Sequence, residues 1–340
     1  PIALHILQRL LSRAPDIQVV GTATNGREAL GLLPTLHPDV ICTDLHMPVM
    51  DGLAFTREVM AVQPCPILVV SVSVEPGAPN VFRLLEAGAV DVYPKPRAIL
   101  EVDQEKLASD LAHKIRILAG VRVFRRHNNG PKTAASELEV RSPVQSQPHL
   151  PLRMVAIGAS TGGPQALHAI FSRLPAGFPL PLMCVQHIGS GFLAALVAWL
   201  AEASPLSVRI ARQGEIPQAG VVYFAPEDAH LVLDTSGRFD FSQALPYDGH
   251  RPSVTVSLRA AARYFKAGTV GVLLTGMGRD GAEGMVDIAA AGGVTIAQDE
   301  ASSVVYGMPK EAVARGAVQH VLPLAQIAPM LEKLVMGRSR

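Results

Sequence analysis

Met154-Val-Ala-Ile-Gly-Ala-Ser-Thr-Gly-Gly-Pro164 is an apolar run that stops at a serine set among glycines and passes through Pro164 into a helical pattern. A strand, a tight turn and a helix in that order read as part of an open α/β sheet, where ligands gather outside the carboxyl ends of the strands. Ser160 falls at such an end. Gly158, Gly162 and Gly163 permit a tight turn and close substrate approach, and the helix that follows offers backbone N–H groups without intrahelical partners. Those groups can meet a developing negative charge. The position suits a nucleophile or a phosphate.

Two more strands in the same half end in chemistry. Leu180-Pro-Leu-Met-Cys-Val-Gln-His187 delivers His187, and Val270-Gly-Val-Leu-Leu-Thr-Gly-Met-Gly-Arg-Asp-Gly281 ends in a glycine-rich loop carrying Asp280. If the strands are parallel neighbours, Ser160, His187 and Asp280 converge on one edge of one sheet. Serine is a poor nucleophile near neutral pH, so His187 would take its proton and Asp280 would fix the imidazole. The Met277 N–H is the first candidate oxyanion donor, with Thr161 and Gly162 in the substrate vicinity. Each residue alone has a plainer reading: a histidine at a strand end is commonly surface or core, and Asp280 before Gly281 could cap a helix starting near Ala282.

Chain order separates the candidates. Gly158-Ala-Ser160-Thr-Gly162 matches G-x-S-x-G, yet the order Ser160, His187, Asp280 differs from that of α/β-hydrolases, where the acid precedes the histidine. Neither the dinucleotide fingerprint nor the phosphate-loop motif is present. Tyr223 to Phe241 reads as antiparallel strands turning at Asp234-Thr-Ser-Gly237, with His230 structural. Trp199 is read as core, Arg251 as a surface residue, and Arg279 as a cation that would favour acidic surfaces.

The first 120 residues show the same alternation, with strands expected at Gln18 to Thr22, Val40 to Thr43, Ile67 to Ser71 and Val90 to Tyr93. Asp44, Ser71 and Lys95 stand at comparable strand ends, and a carboxylate, a hydroxyl and an ammonium together make a phosphoryl-accepting pocket. Between the halves, residues 121–147 are polar, rich in Pro and Ser, and without periodicity, which reads as a linker. The expected organisation is an α/β domain over 1–120, the linker, and a larger mainly parallel α/β domain with an antiparallel hairpin over 148–340.

Composition fits this picture. The 340 residues carry a net charge of +1, with 49% hydrophobic and 17% charged residues, so no strong field selects nucleic acid or a membrane as partner. Cys42, Cys65 and Cys184 lack the spacing of a zinc site and read as reduced core residues of a cytoplasmic protein. No apolar stretch reaches the roughly 20 residues of a membrane span.

The motifs Asp44-Leu-His-Met-Pro-Val-Met-Asp-Gly52, Ser71 and Lys95 make residues 1 to about 120 resemble a response-regulator receiver domain. That resemblance implies Asp44 as phosphoacceptor, Ser71 as switch hydroxyl and Lys95 as phosphate partner. It also implies Mg2+ for phosphorylation, held by an acidic pair on a first strand that would precede Pro1; the chain as given is expected to begin inside this domain, so no metal ligand set is assigned. Residues 148–340 resemble the chemotaxis protein-glutamate methylesterase family through Ile157 to Gly163, Gln186-His187, Tyr223-Phe-Ala-Pro226, His250-Arg-Pro-Ser-Val254, Leu274 to Gly281, Ala297 to Ser302 and Val304 to Pro309. The resemblance implies hydrolysis of glutamate methyl esters on methyl-accepting chemoreceptors, with glutamine deamidation as a second activity. It implies no cofactor for catalysis and a chemotaxis histidine kinase as phosphodonor. The alternative is a receiver-controlled binding module without turnover.

Overall fold

The computed structural model describes residues 2–71, 81–95, 101–121, 123 and 151–336. The expected linker at 121–147 lies almost wholly outside these residues. The first unit contains helices α1 (Ile2–Leu11), α2 (Gly26–Leu36), α3 (Gly52–Val62), α4 (Phe82–Ala87) and α5 (Glu101–Ala119) around strands β1 (Ile41–Thr43), β2 (Ile67–Ser71) and β3 (Asp91–Pro94). The strands form a parallel sheet in the order β1-β2-β3. Local chemistry starts the helices: Asn25 accepts from the Glu28 amide at α2, and Asp51 accepts from the Ala54 amide at α3, each satisfying a first-turn donor.

Gln18 to Thr22, expected as a strand, forms no ladder with another strand among the described residues. A cavity of about 360 Å³, lined by Val19, Val20, Val40, Ile41 and Cys42, lies beside it. The β-propensity of Val19 and Val20 is local, whereas a strand requires a hydrogen-bonding neighbour.

The second unit is built on seven strands: β4 (Met154–Ala159), β5 (Leu182–Gln186), β6 (Ser207–Ile210), β7 (Val221–Phe224), β10 (Thr269–Leu273), β11 (Val294–Gln298) and β12 (His320–Leu322). Their spatial order is β12-β11-β10-β4-β5-β7-β6, and the pairings are parallel. The central strands β4, β5, β10 and β11 are buried throughout, which accounts for their unbroken apolar character. Strands β8 (His230–Leu233) and β9 (Phe239–Ser242) form the antiparallel hairpin, closed at Asp234 to Gly237. Only this part of the segment from Tyr223 to Phe241 is antiparallel; Val221–Phe224 pairs parallel with β5 and β6 in the main sheet.

Helices α6 (Gly163–Phe171), α7 (Leu193–Ala203) and α11 (Leu324–Met336) share a core cluster with one face of this sheet, and α8 (Val254–Phe265), α9 (Ala282–Ala290) and α10 (Met308–Ala314) with the other. The first of these clusters continues into the neighbouring unit. Trp199 is buried between Phe82 of α4 and His168 of α6, with ring centroids 5.5 and 4.6 Å away, and its indole N–H donates to Glu86 at 2.6 Å. The Gln165 amide donates to the carbonyls of Ala89 and Val90. Trp199 is therefore core, as expected, but core shared between the two units.

Candidate active site

Strands β4, β5 and β10 lie side by side, so their carboxyl ends open onto one edge. Ala159 pairs with Gln186 in register, and Ser160 and His187 follow them on the two chains. Four bonds fix this corner. The His187 amide donates to Ala159 O at 3.0 Å, the Ser160 amide donates to Thr275 O at 3.0 Å, and the Gln186 side-chain amide donates to both Ser160 O and His187 O at 2.8 Å. Gln186 thus ties together the backbones that carry two of the expected site residues.

The glycines have separate tasks. A Cβ at Gly163 would lie 2.0 Å from Gln186 Oε1, and one at Gly276 would lie 2.7 Å from Ser160 Cβ. The Gly276 amide donates to Val305 O while its carbonyl accepts from the amides of Gly307 and Met308. This anchors the turn that runs from Gly276, beside Ser160, into Met277. Thr161 is buried, and its carbonyl accepts from Thr275 Oγ1 at 2.9 Å. Gly162 takes φ 76°, the left-handed conformation that glycine tolerates best, immediately before α6.

His187 Nε2 is 2.8 Å from Asp280 Oδ2. With Nε2–H donating to the carboxylate, the neutral ring carries its basic lone pair on Nδ1. That nitrogen is buried and has no hydrogen-bond partner among the described residues.

Asp280 is 2% exposed and does not cap the helix that begins at Ala282. It sits instead at the N-terminus of α8, accepting from Ser253 Oγ and the amides of Val254 and Thr255 at 2.8 to 2.9 Å. Burial would raise its pKa, but His187 and these donors prevail and hold the carboxyl well below the usual carboxylate range. His230, fully buried, accepts the Ser253 amide at Nδ1 and bonds Leu245 O through Nε2. It acts on the segment that holds the acid, in keeping with a structural role.

Sequence reasoning passed over several residues of this site. Gln186, Ser253, Thr255 and His250 all contribute, and His250 stacks on His187 with centroids 3.9 Å apart and planes 10° from parallel. The available signal was Ser253, a helix-capping residue directly after Pro252 and before an apolar helical pattern. Arg279 has an owner as well: it makes two bonds to Asp248, at 2.9 and 3.2 Å, so its charge is largely matched within the chain. A cavity of about 250 Å³ adjoins the pair of histidines, bordered by Gln186, Glu227, Arg251 and Pro252.

In the first unit, Lys95 Nζ lies 2.5 Å from Asp44 Oδ2, and the Lys95 amide donates to Ser71 O at 2.6 Å. The three expected residues therefore meet at the ends of β1, β2 and β3. The residues present do not form a Mg2+ site: among the described residues, no group of three or more His, Cys, Asp or Glu side chains is placed to hold a metal. Pro94, one residue before Lys95, packs on Gly189, two residues beyond His187, where an added Cβ would come within 2.8 Å of the proline ring.

Known proteins resemble each of the two units. Residues 155–331 match the CheB methylesterase family model, and residues 1–106 match that of the response regulator receiver domain. A protein-glutamate methylesterase/protein-glutamine glutaminase of Methanospirillum hungatei is 43% identical, covering 98% of this chain and 95% of the relative. One of Nitrosospira multiformis is 41% identical, covering 99% of this chain and 95% of the relative. The CheB methylesterase catalytic domain of Thermotoga maritima, known from a crystal structure, superposes with a TM-score of 0.53 at 40% identity, covering 55% of this chain and all of that one. With a receiver domain ahead of a catalytic domain of this kind, the chain belongs to the CheB methylesterase family.

Proposed function

We propose that this chain is a protein-glutamate methylesterase with protein-glutamine glutaminase activity, acting through Ser160, His187 and Asp280. The observation that carries the reading is the part-buried His187–Asp280 pair one strand away from Ser160, in a chain related over 98% of its length to an enzyme of that name. Ser160 attacks the ester carbonyl as His187 Nδ1 takes its proton; collapse of the tetrahedral intermediate returns that proton to the departing methanol. Water then attacks the acyl-enzyme with His187 again as base, leaving a glutamate carboxylate. A glutamine amide follows the same course with ammonia as leaving group. Asp280 holds the imidazole by Nε2 and balances its charge once protonated. The Met277 N–H is the proposed oxyanion donor, with Thr161 and Gly162 lining the substrate's approach.

The substrates are methyl-accepting chemoreceptors, and the setting is the cytoplasm. Among the described residues, no helix is long and apolar enough to cross a membrane. Asp44 is the phosphoacceptor, supplied by a chemotaxis histidine kinase, with Ser71 and Lys95 beside it. Any Mg2+ used there needs acidic ligands beyond those assembled at Asp44. The contact of Pro94 with Gly189, two residues beyond His187, supports a receiver that sits beside the cleft. Phosphorylation of Asp44 would draw on the Lys95 ion pair one residue from that contact and loosen it. Methanol release from methylated chemoreceptor membranes tests the activity; a chain that releases none, phosphorylated or not, would overturn the reading.

A further inference from the structure

The mechanism uses one imidazole, yet a second lies flat against it. His187 and His250 stack face to face at 3.9 Å. His250 belongs to a loop that depends on several anchors. Tyr247 and His250 exchange backbone bonds of 3.0 and 2.9 Å, Asp248 is gripped by Arg279, and the Tyr247 hydroxyl bonds Glu283. Asp248 and Gly249 take φ of 48° and 80° to bring the ring over. Arg279 and Glu283 flank Asp280 in sequence. The segment that supplies the acid therefore also secures the loop that covers the base.

A hydrogen bond at Nε2 alone leaves an imidazole free to tilt about it, and His250 lies against the face of the ring. We propose that His250 is a positioning residue for the base, its flat face fixing the plane of His187 so that Nε2 stays on Asp280 while Nδ1 stays free to take the serine proton. Its own environment suits that task. Burial and then His187 push the His250 pKa down to about 4, with Asp280 and Asp248 opposing them. Glu227 and Arg251 border the same cavity. His250 is thus uncharged at neutral pH, so the charge that forms on His187 during attack meets no like charge at stacking distance.

The inference rests on the catalytic reading, so its test does not depend on the natural substrate. In the full chain, the rate at which a fluorophosphonate probe labels Ser160 reports on the base, and nitrogen NMR of labelled histidine reports the His187 tautomer. His250→Ala and the volume-filling His250→Leu should slow labelling roughly 10- to 100-fold, as expected for a catalytic group displaced by about an ångström, and should turn a single Nε2–H tautomer into a mixture. His250→Phe, which keeps a flat face, should stay within about threefold of wild type with one tautomer. Wild-type labelling and an unmixed tautomer in both His250→Ala and His250→Leu would overturn the proposal, as would a His250→Phe as slow as His250→Leu. Prompt probe labelling without methanol release from receptor membranes would instead count against the substrate assignment alone.

Discussion

Asp280 reaches His187 at 2.8 Å with the same oxygen that accepts the Val254 amide, so the acid is fixed to the first turn of α8 before it orients the base. An asparagine can keep this shape but can offer Nε2 a donor, which moves the ring proton to Nδ1, the wrong nitrogen for attack. Asp280→Asn should therefore lower kcat by about 10³ to 10⁴, the scale of such a tautomer error in a serine protease triad. Single-turnover measurement of acylation would show the loss in the chemical step; an unchanged rate would remove Asp280 from the mechanism.

The same carboxylate makes stability depend on pH. Its folded-state pKa lies below its ordinary value of 3.8, so the folded state favours the ionised form. The resulting stabilisation is fully present above that value and declines as pH falls through it towards the folded pKa. Urea unfolding should find the stability gap between wild type and Asp280→Asn widest near neutral pH and narrowing below about pH 4.

His250 produces a drift in a different window. Its pKa is about 4 when folded against 6.5 ordinarily, so over that interval the unfolded chain binds a proton that the folded chain does not. Stability is retained above about 6.5 and falls as pH drops towards 4. Relative to wild type, His250→Phe should gain stability on acidification over this range, as read from denaturant midpoints. Parallel curves would mean that the ring titrates normally.

Removing the nucleophile is the most direct check of the chemistry. Ser160→Ala should reduce methanol release by roughly 10⁴ to 10⁶, the range for loss of an essential serine, with little change in thermal midpoint because Ser160 is held through its backbone.

Gating rests on the contact between the receiver and the catalytic unit. Gly189→Ala places a methyl group against Pro94 at a distance the two cannot share. It should raise the basal activity of the unphosphorylated full chain several-fold, and it should do nothing once residues 1–147 are removed. An equal effect in both forms would place its action inside the catalytic unit.

Much of this architecture was readable from residue order. Buried parallel strands are continuous apolar runs, and glycine marks where backbones turn or touch, so β4, β5 and β10 and the residues at their ends could be placed in advance. Gln18 to Thr22 failed because strand formation is a pairwise property and local preference contains only half of it. Trp199 read correctly as core, but its partners Phe82 and Glu86 lie more than 100 positions away. His250, Ser253 and Thr255 went unrecognised as site residues for the same reason: their roles arise from a loop folding back over His187 and from a helix N-terminus meeting Asp280. Such long-range meetings leave no period to read.

The single amide of Gln186, shared between Ser160 O and His187 O, has a consequence for heat inactivation. The spacing of nucleophile and base is set by adjacent paired strands and one buried side chain, all within the most protected part of the sheet, where local opening costs nearly as much as global unfolding. The receiver bears on that corner from outside the seven-stranded sheet, through Pro94 against Gly189 and α4 against Trp199. On warming, the intrinsic catalytic rate should persist until the whole domain melts, while restraint by the receiver fades earlier, leaving a temperature range in which the enzyme is intact but ungoverned.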